Sequence, residues 1–424
     1  MLDYKFIRDN KEAVQRSIEA RNVKADAALV ARLYDERNEA IAALEALRKK
    51  RNENAQAMKG KLDAELRAAL IEDGKALKDA IAKAEEELEE LETRLKAEAS
   101  RVPNMLHPDV PLGKEEKDNL EVARHGLPTK FPFKPRDHVE LGALLDIIDF
   151  EAGSKVAGSK FYFLKNEGVL LELALVRYAL DILKARGFDI YATPDIAREE
   201  ILEGVGFSPR GEESNIYPLE GTGTCLIGTA EITLGGYYAD SILEVDSLPI
   251  KMGGVSHCFR REAGAAGQFS KGLYRVHQFT KVEMFVICEP EASDALHEQL
   301  RQIEEEVFKG LGIPFRVVDT CSGDLGAPAY RKWDLEAWMP GRGDGEWGEV
   351  TSTSNCTDYQ ARRLNVRYKA EGKNRHVHML NGTAVACSRA IIAILENFQE
   401  EDGSVKIPER LRPYTGFDYI RPRA

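Results

Sequence analysis

Ser256-His-Cys-Phe-Arg-Arg-Glu262 reads as a strand, on which Arg260 and Glu262, two apart, project from one face. After the Gly/Ala-rich loop Ala263-Gly-Ala-Ala-Gly267 comes Tyr274-Arg-Val-His-Gln-Phe-Thr-Lys-Val-Glu283. There Arg275, His277, Phe279, Lys281 and Glu283 share one parity, opposite Val276, Thr280, Val282 and Met284, so one face is charged and aromatic. Most alternating strands are solvent-exposed amphipathic hairpins. The mixture here is more specific. Guanidinium groups clamp phosphate or carboxylate oxygens, and a phenylalanine set among guanidiniums and acids offers a stacking platform for an adenine base.

Other segments fail as known catalytic motifs. Gly223-Thr-Cys-Leu-Ile-Gly228 has the gap of a P-loop, but Thr229-Ala230 stands where Lys and Ser/Thr are required. Gly221-Thr-Gly223 is followed by Leu226, where the dinucleotide fingerprint has its third glycine. His297-Glu298 leads to Arg301 in place of the second histidine of a zinc-protease helix, and no G-x-S-x-G elbow occurs. Cys225, Cys258, Cys288, Cys321, Cys356 and Cys387 form no C-x-x-C pair, which argues against zinc and against a disulfide framework and suits a reducing cytoplasm.

Cys258-Phe-Arg-Arg-Glu-Ala-Gly264, the loop after it and Arg275 to Glu283 together closely resemble motif 2 of the seryl-tRNA synthetases, which are class II aminoacyl-tRNA synthetases. Thr229-Ala-Glu231, then Glu349-Val-Thr-Ser352 leading into Asp358-Tyr-Gln-Ala-Arg-Arg363, agree in order. Asn381-Gly-Thr-Ala-Val-Ala-Cys-Ser-Arg389 resembles motif 3, and Phe188 to Pro194 resembles motif 1, which builds the family's dimer interface. Arg261 stands where the family more often has a small residue, and Gln268-Phe-Ser-Lys271 is a variant of the loop that touches the tRNA acceptor end. The resemblance spans the whole chain. It implies a homodimeric serine–tRNA ligase of bacterial or organellar type that uses L-serine, ATP and Mg²⁺ to charge tRNA(Ser) and, in the family generally, tRNA(Sec).

The resemblance also implies roles. Arg260, Glu349 and Arg389 are catalytic; serine is held by Thr229, Ala230, Glu231, Arg260, Glu283, Asn381 and Thr383. ATP is held by Arg260, Arg261, Glu262, Arg275 and Val276, with Phe279 and Arg389 sandwiching adenine. Glu349, Val350, Thr351 and Ser352 complete the ATP site, Glu349 and Ser352 being the Mg²⁺ pair. Serine's carboxylate attacks the α-phosphate and is already a nucleophile, so charge stabilisation replaces general-base catalysis. Glu349 and Ser352 lie three apart, so both reach one ion only where the strand bulges.

The elements that must position these residues form two regions. The chain has 424 residues, 43% hydrophobic and 31% charged, enough for a large core and two or three domains. From about Asp26 to Ser100 there is no proline, and Leu77, Ile81, Ala84, Leu88, Leu91 and Leu95 alternate spacings of four and three, a coiled-coil seam. Gly60-Lys-Leu-Asp63 interrupts it with a breaker and a capping aspartate, so two antiparallel helices of roughly 50 Å each are expected as a projecting arm. Arg37 and the cluster Arg48-Lys-Lys-Arg51 lie on the first helix; basic clusters are usually only solvated, but the family's arm grips the variable arm of its tRNA. With a net charge of −12, any RNA must be held by such local patches.

Prolines at 103, 108, 111, 128, 132 and 135 mark a linker. Beyond it, a helix at 170–183, strand-like runs at 248–258, 273–287, 315–318 and 376–380, and a helix at 384–399 suggest an antiparallel sheet flanked by helices. The expected architecture is therefore α+β: residues 1–110 as a tRNA-binding domain with its coiled-coil arm at 27–100, and residues 111–424 as a class II catalytic core. No apolar run approaches a membrane span. Two rival readings remain open: a paralogue that loads a carrier protein, which would lack a full arm, and a silent RNA-binding protein, which would be expected to lose Arg260, Glu283, Glu349 or Arg389.

Overall fold

Helix starts in the first hundred residues are set by aspartates. Asp3 caps α1 (Tyr4–Asp9), Asp26 caps α3 (Ala27–Ala57) and Asp63 caps α4 (Ala64–Ser100), each carboxylate accepting from backbone N–H groups of the first turn; α2 is Lys11–Ala20. The computed structural model describes residues 1–60, 62–207, 215–263 and 269–423, so Lys61 of the expected breaker lies outside the described residues. Residues 1–105 form one compact unit and residues 106–424 another.

Within the first unit α3 and α4 pair as a hairpin. Leu77, Ile81, Ala84, Leu88, Leu91 and Leu95 are the covered side of α4, while the residues between them stand in solvent, as a narrow two-helix seam requires. Leu33 and Leu44 of α3 are buried against it. Two arginines cross the seam, Arg37 to Glu92 at 2.9 Å and Arg48 to Glu85 at 2.8 Å.

The second unit is built on an eight-stranded sheet. Its strands, in chain order, are β1 (Leu120–His125), β2 (Asp189–Ala192), β3 (Ile250–Phe259), β4 (Gln278–Cys288), β5 (Phe315–Asp319), β6 (Arg331–Met339), β7 (Glu346–Asn355) and β8 (His378–Ala386). The spatial order is β1-β5-β6-β7-β8-β4-β3-β2, antiparallel throughout except for β2 beside β3. Helices packed with it include α5 (Glu167–Ala185), α6 (Glu199–Val205), α7 (Ala230–Gly236), α8 (Ser293–Leu311), α9 (Tyr359–Arg363) and α10 (Cys387–Asn397).

Both faces of the central strands are covered. Val282, Met284 and Val286 join Leu335, Leu380, Leu175, Phe308 and Ile391 in the main core, while Phe285 and Ile287 face the other way, onto Leu234, Leu364 and Tyr368. This is why simple alternation stops at Lys281 and the rest of β4 is buried at every position.

Three boundaries differ from expectation. β3 ends at Phe259, where its ladder pairs with Gln278, so Arg260 to Glu262 lie beyond the strand and Glu262 turns the chain at φ +49°. Arg275 and His277 likewise precede β4; Gly272–Tyr274 is a short 3₁₀ turn. Residues 384–386 belong to β8, and the last long helix starts only at Cys387, because the ladder to β4 continues through Ala386. The loop 264–267, with Gln268, lies outside the described residues.

Bulges interrupt two of the central strands. On β7 the register to β6 jumps from Leu335↔Thr351 to Glu336↔Glu349, leaving Val350 as the extra residue. On β8 the register to β4 jumps from Val282↔Val385 to Glu283↔Thr383, leaving Ala384 extra.

Candidate active site

A pocket opens over β4, β7 and β8, lined by Arg260, Glu262, Arg275, Val276, Phe279, Lys281, Glu349, Val350, Thr351, Ser352, Thr383 and Arg389 among others. Arg260, just past the end of β3, donates from Nε to the Gly228 carbonyl at 3.2 Å, and its guanidinium carbon stands 5.3 Å from the centre of the Phe279 ring. Cation and ring are thus held together before any ligand arrives. Arg275 reaches the pocket from the connection, donating to Glu262 at 3.0 Å and to the Phe269 carbonyl at 3.3 Å.

Arg389 is the third residue of α10, within the turn where the helix dipole is positive. It donates to the Glu349 carbonyl at 2.9 Å, pairs with the Glu349 carboxylate at 3.3 Å and stands over Tyr274 at 4.8 Å. Because Val350 is looped out, Glu349 and Ser352 both fall on the accessible side of β7 and Val350 and Thr351 on the buried one. Withdrawal from water would raise the Glu349 carboxyl, but Arg389, Lys332 and Arg260 reverse that and hold it at about 2. It is ionised at every working pH.

Below the pocket lies a second layer of acids. Thr229 caps α7 by accepting from the Glu231 N–H at 3.2 Å. Glu231 Oε1 accepts from Gln360 Nε2 at 2.8 Å and from Asn381 Nδ2 at 2.9 Å. Glu283 is paired with Lys281 at 2.5 Å and accepts from Thr383 at 3.4 Å through Oε2. Each carboxylate is therefore held through one oxygen. Burial first, and the charge of Glu283 second, push Glu231 up to about 7; burial also raises Glu283, against the pull of Lys281 and Arg260. Ala230 is fully buried in apolar contacts and offers only its backbone.

One residue of the expected set stands apart. Arg261 is exposed and away from the pocket, its N–H donating to the Asn215 carbonyl, because strand alternation has already ended at Phe259. Three site residues escaped a functional reading of the sequence. Gln360 sits inside the matched Asp358 to Arg363 segment, Tyr274 lies in the turn before β4, and Lys281 shares the parity of Phe279 and Glu283. Only for Lys281 did a signal exist: a lysine alternating with acids in a strand whose flanks are apolar.

In the first unit, Arg37 and Arg48 are engaged by Glu92 and Glu85, whereas Lys49, Lys50 and Arg51 are exposed with no ion pair among the described residues.

A largely antiparallel sheet carrying an arginine-lined pocket, with a second arginine entering from the first turn of the closing helix, is the architecture of the class II aminoacyl-tRNA synthetases. The family model described as tRNA synthetase class II core domain (G, H, P, S and T) matches residues 219–398, and that of the Seryl-tRNA synthetase N-terminal domain matches residues 1–106. The serine–tRNA ligase of Treponema denticola is 66% identical over 99% of this chain and the whole of that protein. The seryl-tRNA synthetase from Pyrococcus horikoshii, complexed with ATP, superposes with a TM-score of 0.92 at 42% identity over the full length of both chains. The cytoplasmic serine–tRNA ligase from Naegleria fowleri, in complex with AMP, gives 0.87 at 32% identity, covering 100% of this chain and 99% of that one. This chain belongs to the seryl-tRNA synthetase family.

Proposed function

We propose that this serine–tRNA ligase binds ATP in the Arg260–Phe279–Arg389 pocket and L-serine on the acids beneath it. The observation that carries the reading is the two-layer arrangement: anion clamps above, and below them two carboxylates each fixed through one oxygen. Serine's ammonium and hydroxyl meet Glu231, Glu283 and Thr383, its carboxylate meets Arg260, and attack on the α-phosphate gives seryl adenylate and pyrophosphate. Arg260 and Arg389 stabilise the charge that builds on phosphorus. The adenylate is then attacked by the terminal hydroxyl of tRNA(Ser), and tRNA(Sec) is proposed as a second acceptor on the family resemblance. Alanine is rejected because, without a substrate hydroxyl, the fixed polar groups stay unpaired.

Glu349 and Ser352 fit Mg²⁺: an ionised carboxylate and a hydroxyl on one face are hard oxygen donors, and Mg²⁺ takes few protein ligands when phosphates supply the rest. Such an ion supplies charge neutralisation to the phosphates.

Serine-dependent ATP–pyrophosphate exchange, with alanine and threonine as controls, followed by charging of tRNA(Ser), tests the reading. Exchange without charging would favour the carrier-protein paralogue; no exchange with any amino acid would sink the assignment.

We also propose a homodimer closed through α5 and β2. Leu170 and Leu173 of α5 are 46% and 59% exposed, Ile190 of β2 is 40% exposed, and β2 is an edge strand. Leu173→Asp should shift the protein from dimer to monomer in sedimentation, with activity falling in step; an unchanged dimer would refute this interface. The six buried free cysteines suit a reducing cytoplasm, and no helix among the described residues is long and apolar enough to cross a membrane.

For tRNA, the exposed Lys49, Lys50 and Arg51 are proposed as the phosphate contacts of the hairpin, with Arg37 and Arg48 holding the helix pair together. The triple change of Lys49, Lys50 and Arg51 to Gln should raise KM for tRNA on the order of tenfold or more at moderate salt and flatten its salt dependence, leaving exchange untouched. Unchanged KM in that variant would remove the assignment.

A further inference from the structure

Lys281 is buried inside the acid layer, with a side chain only 7% exposed, and no step of serine activation described for this pocket uses it. Burying an ammonium is costly unless it is paired, and its partner is Glu283 at 2.5 Å, with the Thr383 hydroxyl at 3.4 Å. The groups facing this pair come from several elements: Arg260 past the end of β3, Cys258 on β3, Glu231 on α7 and Glu304 on α8. Burial raises Cys258, which keeps the thiol uncharged, and lifts Glu304 well above the carboxylate range, which disfavours its charged form. Arg260 is committed to the anions of the upper layer. The lower layer is left with two carboxylates and one ammonium.

We infer that Lys281 is a positioning residue for serine: it cancels the charge of Glu283, leaving a single carboxylate equivalent, so that serine's ammonium enters by displacing one proton from the Glu231–Glu283 pair. The inference rests on the assignment of this layer to serine. In the free enzyme Glu231, which burial and Glu283 push up to about 7, is the group that carries the proton on the acid side of neutrality. On binding, the Glu231 carboxyl loses its proton to solvent and the resulting carboxylate accepts from the substrate ammonium, which keeps all three of its protons. Gln360 and Asn381 hold the carboxyl group in place through Oε1 in both states. Without Lys281 the layer would carry two unneutralised acids for one ammonium and would retain a second proton.

Titration calorimetry of the full-length enzyme with serine, in buffers of different ionisation enthalpy, counts the proton. The expected release is about half a proton at pH 7, approaching one at pH 6 and falling toward zero by pH 8. No release across that range would overturn the inference without requiring any variant to fold. Lys281→Met should lower kcat/KM for serine on the order of tenfold at pH 7 and move the acid limb of its pH profile up by about one unit, with KM for ATP unchanged. Lys281→Arg should return the limb to its place. A uniform loss at every pH, unrelieved by arginine, would mean that Lys281 only packs the pocket. Glu231→Gln separates the two levels of failure: if KM for serine survived that change, the serine assignment itself would fall.

Discussion

Arg260→Ala should abolish practical activity, with serine-dependent exchange falling by about 10²–10³ in kcat and KM rising for both substrates. The side chain serves two anions at once, since the serine carboxylate and the α-phosphate must be brought together against their repulsion. Its guanidinium is already fixed, by the Gly228 carbonyl at 3.2 Å and by the Phe279 ring at 5.3 Å, so little reorganisation is needed when charge develops. Arg260→Lys should recover little of the loss: a point charge on a flexible stem can neither span two oxygens nor keep the contact with the ring. The readout is exchange kinetics on protein whose circular dichroism and melting match wild type. A loss of less than tenfold in the alanine variant would remove Arg260 from the reaction.

The sequence made the chemistry easier to see than the geometry. The seam on α4 was legible to the residue because a two-helix contact has one period and one face, and the exposed and covered positions follow it along the helix. The strand parity of Phe279, Lys281 and Glu283 was legible for the same reason. Arg260 and Glu262 were expected on one face, yet the pair reaches the pocket from beyond the strand, as does Arg275. Pairing in a sheet is decided by partners far away in the chain, so Phe259 ends β3 only because Gln278 begins β4. Gln360 was illegible on different grounds. Its meaning lies in Glu231, 129 residues earlier, and in the Val205 carbonyl of α6. The start of α10 was misjudged by three residues because Ala384-Val-Ala386 suits helix and buried strand alike, and the ladder to β4 settles the choice.

Glu349→Gln should be nearly as damaging as the loss of Arg260, although it preserves shape. Its carboxylate is the anion that aligns Arg389 at 3.3 Å, and, with Ser352, the hard donor set suited to Mg²⁺. Glutamine keeps the backbone link from the Glu349 carbonyl to Arg389 but removes the charge, so exchange should fall on the order of 10²–10³ and need more Mg²⁺ to recover. Ser352→Ala, which removes a neutral donor, should cost less. The bulge makes a sharper test. Deleting Val350 would remove the extra residue and leave Glu349 and Ser352 two apart on one face of a regular strand, so that variant should keep the donor pair and, where it folds, lose far less exchange than Glu349→Gln. The acid side provides a check independent of catalysis. The folded carboxyl titrates at about 2 against an ordinary 4.5, so its contribution to stability is complete above about pH 4.5 and disappears as the pH falls toward 2. The melting difference between wild type and Glu349→Gln should therefore be constant from pH 5 to 8 and shrink below pH 4.5. Exchange within threefold of wild type, or a melting difference indifferent to acid, would show that the carboxylate is not the anion around which Arg389 is organised.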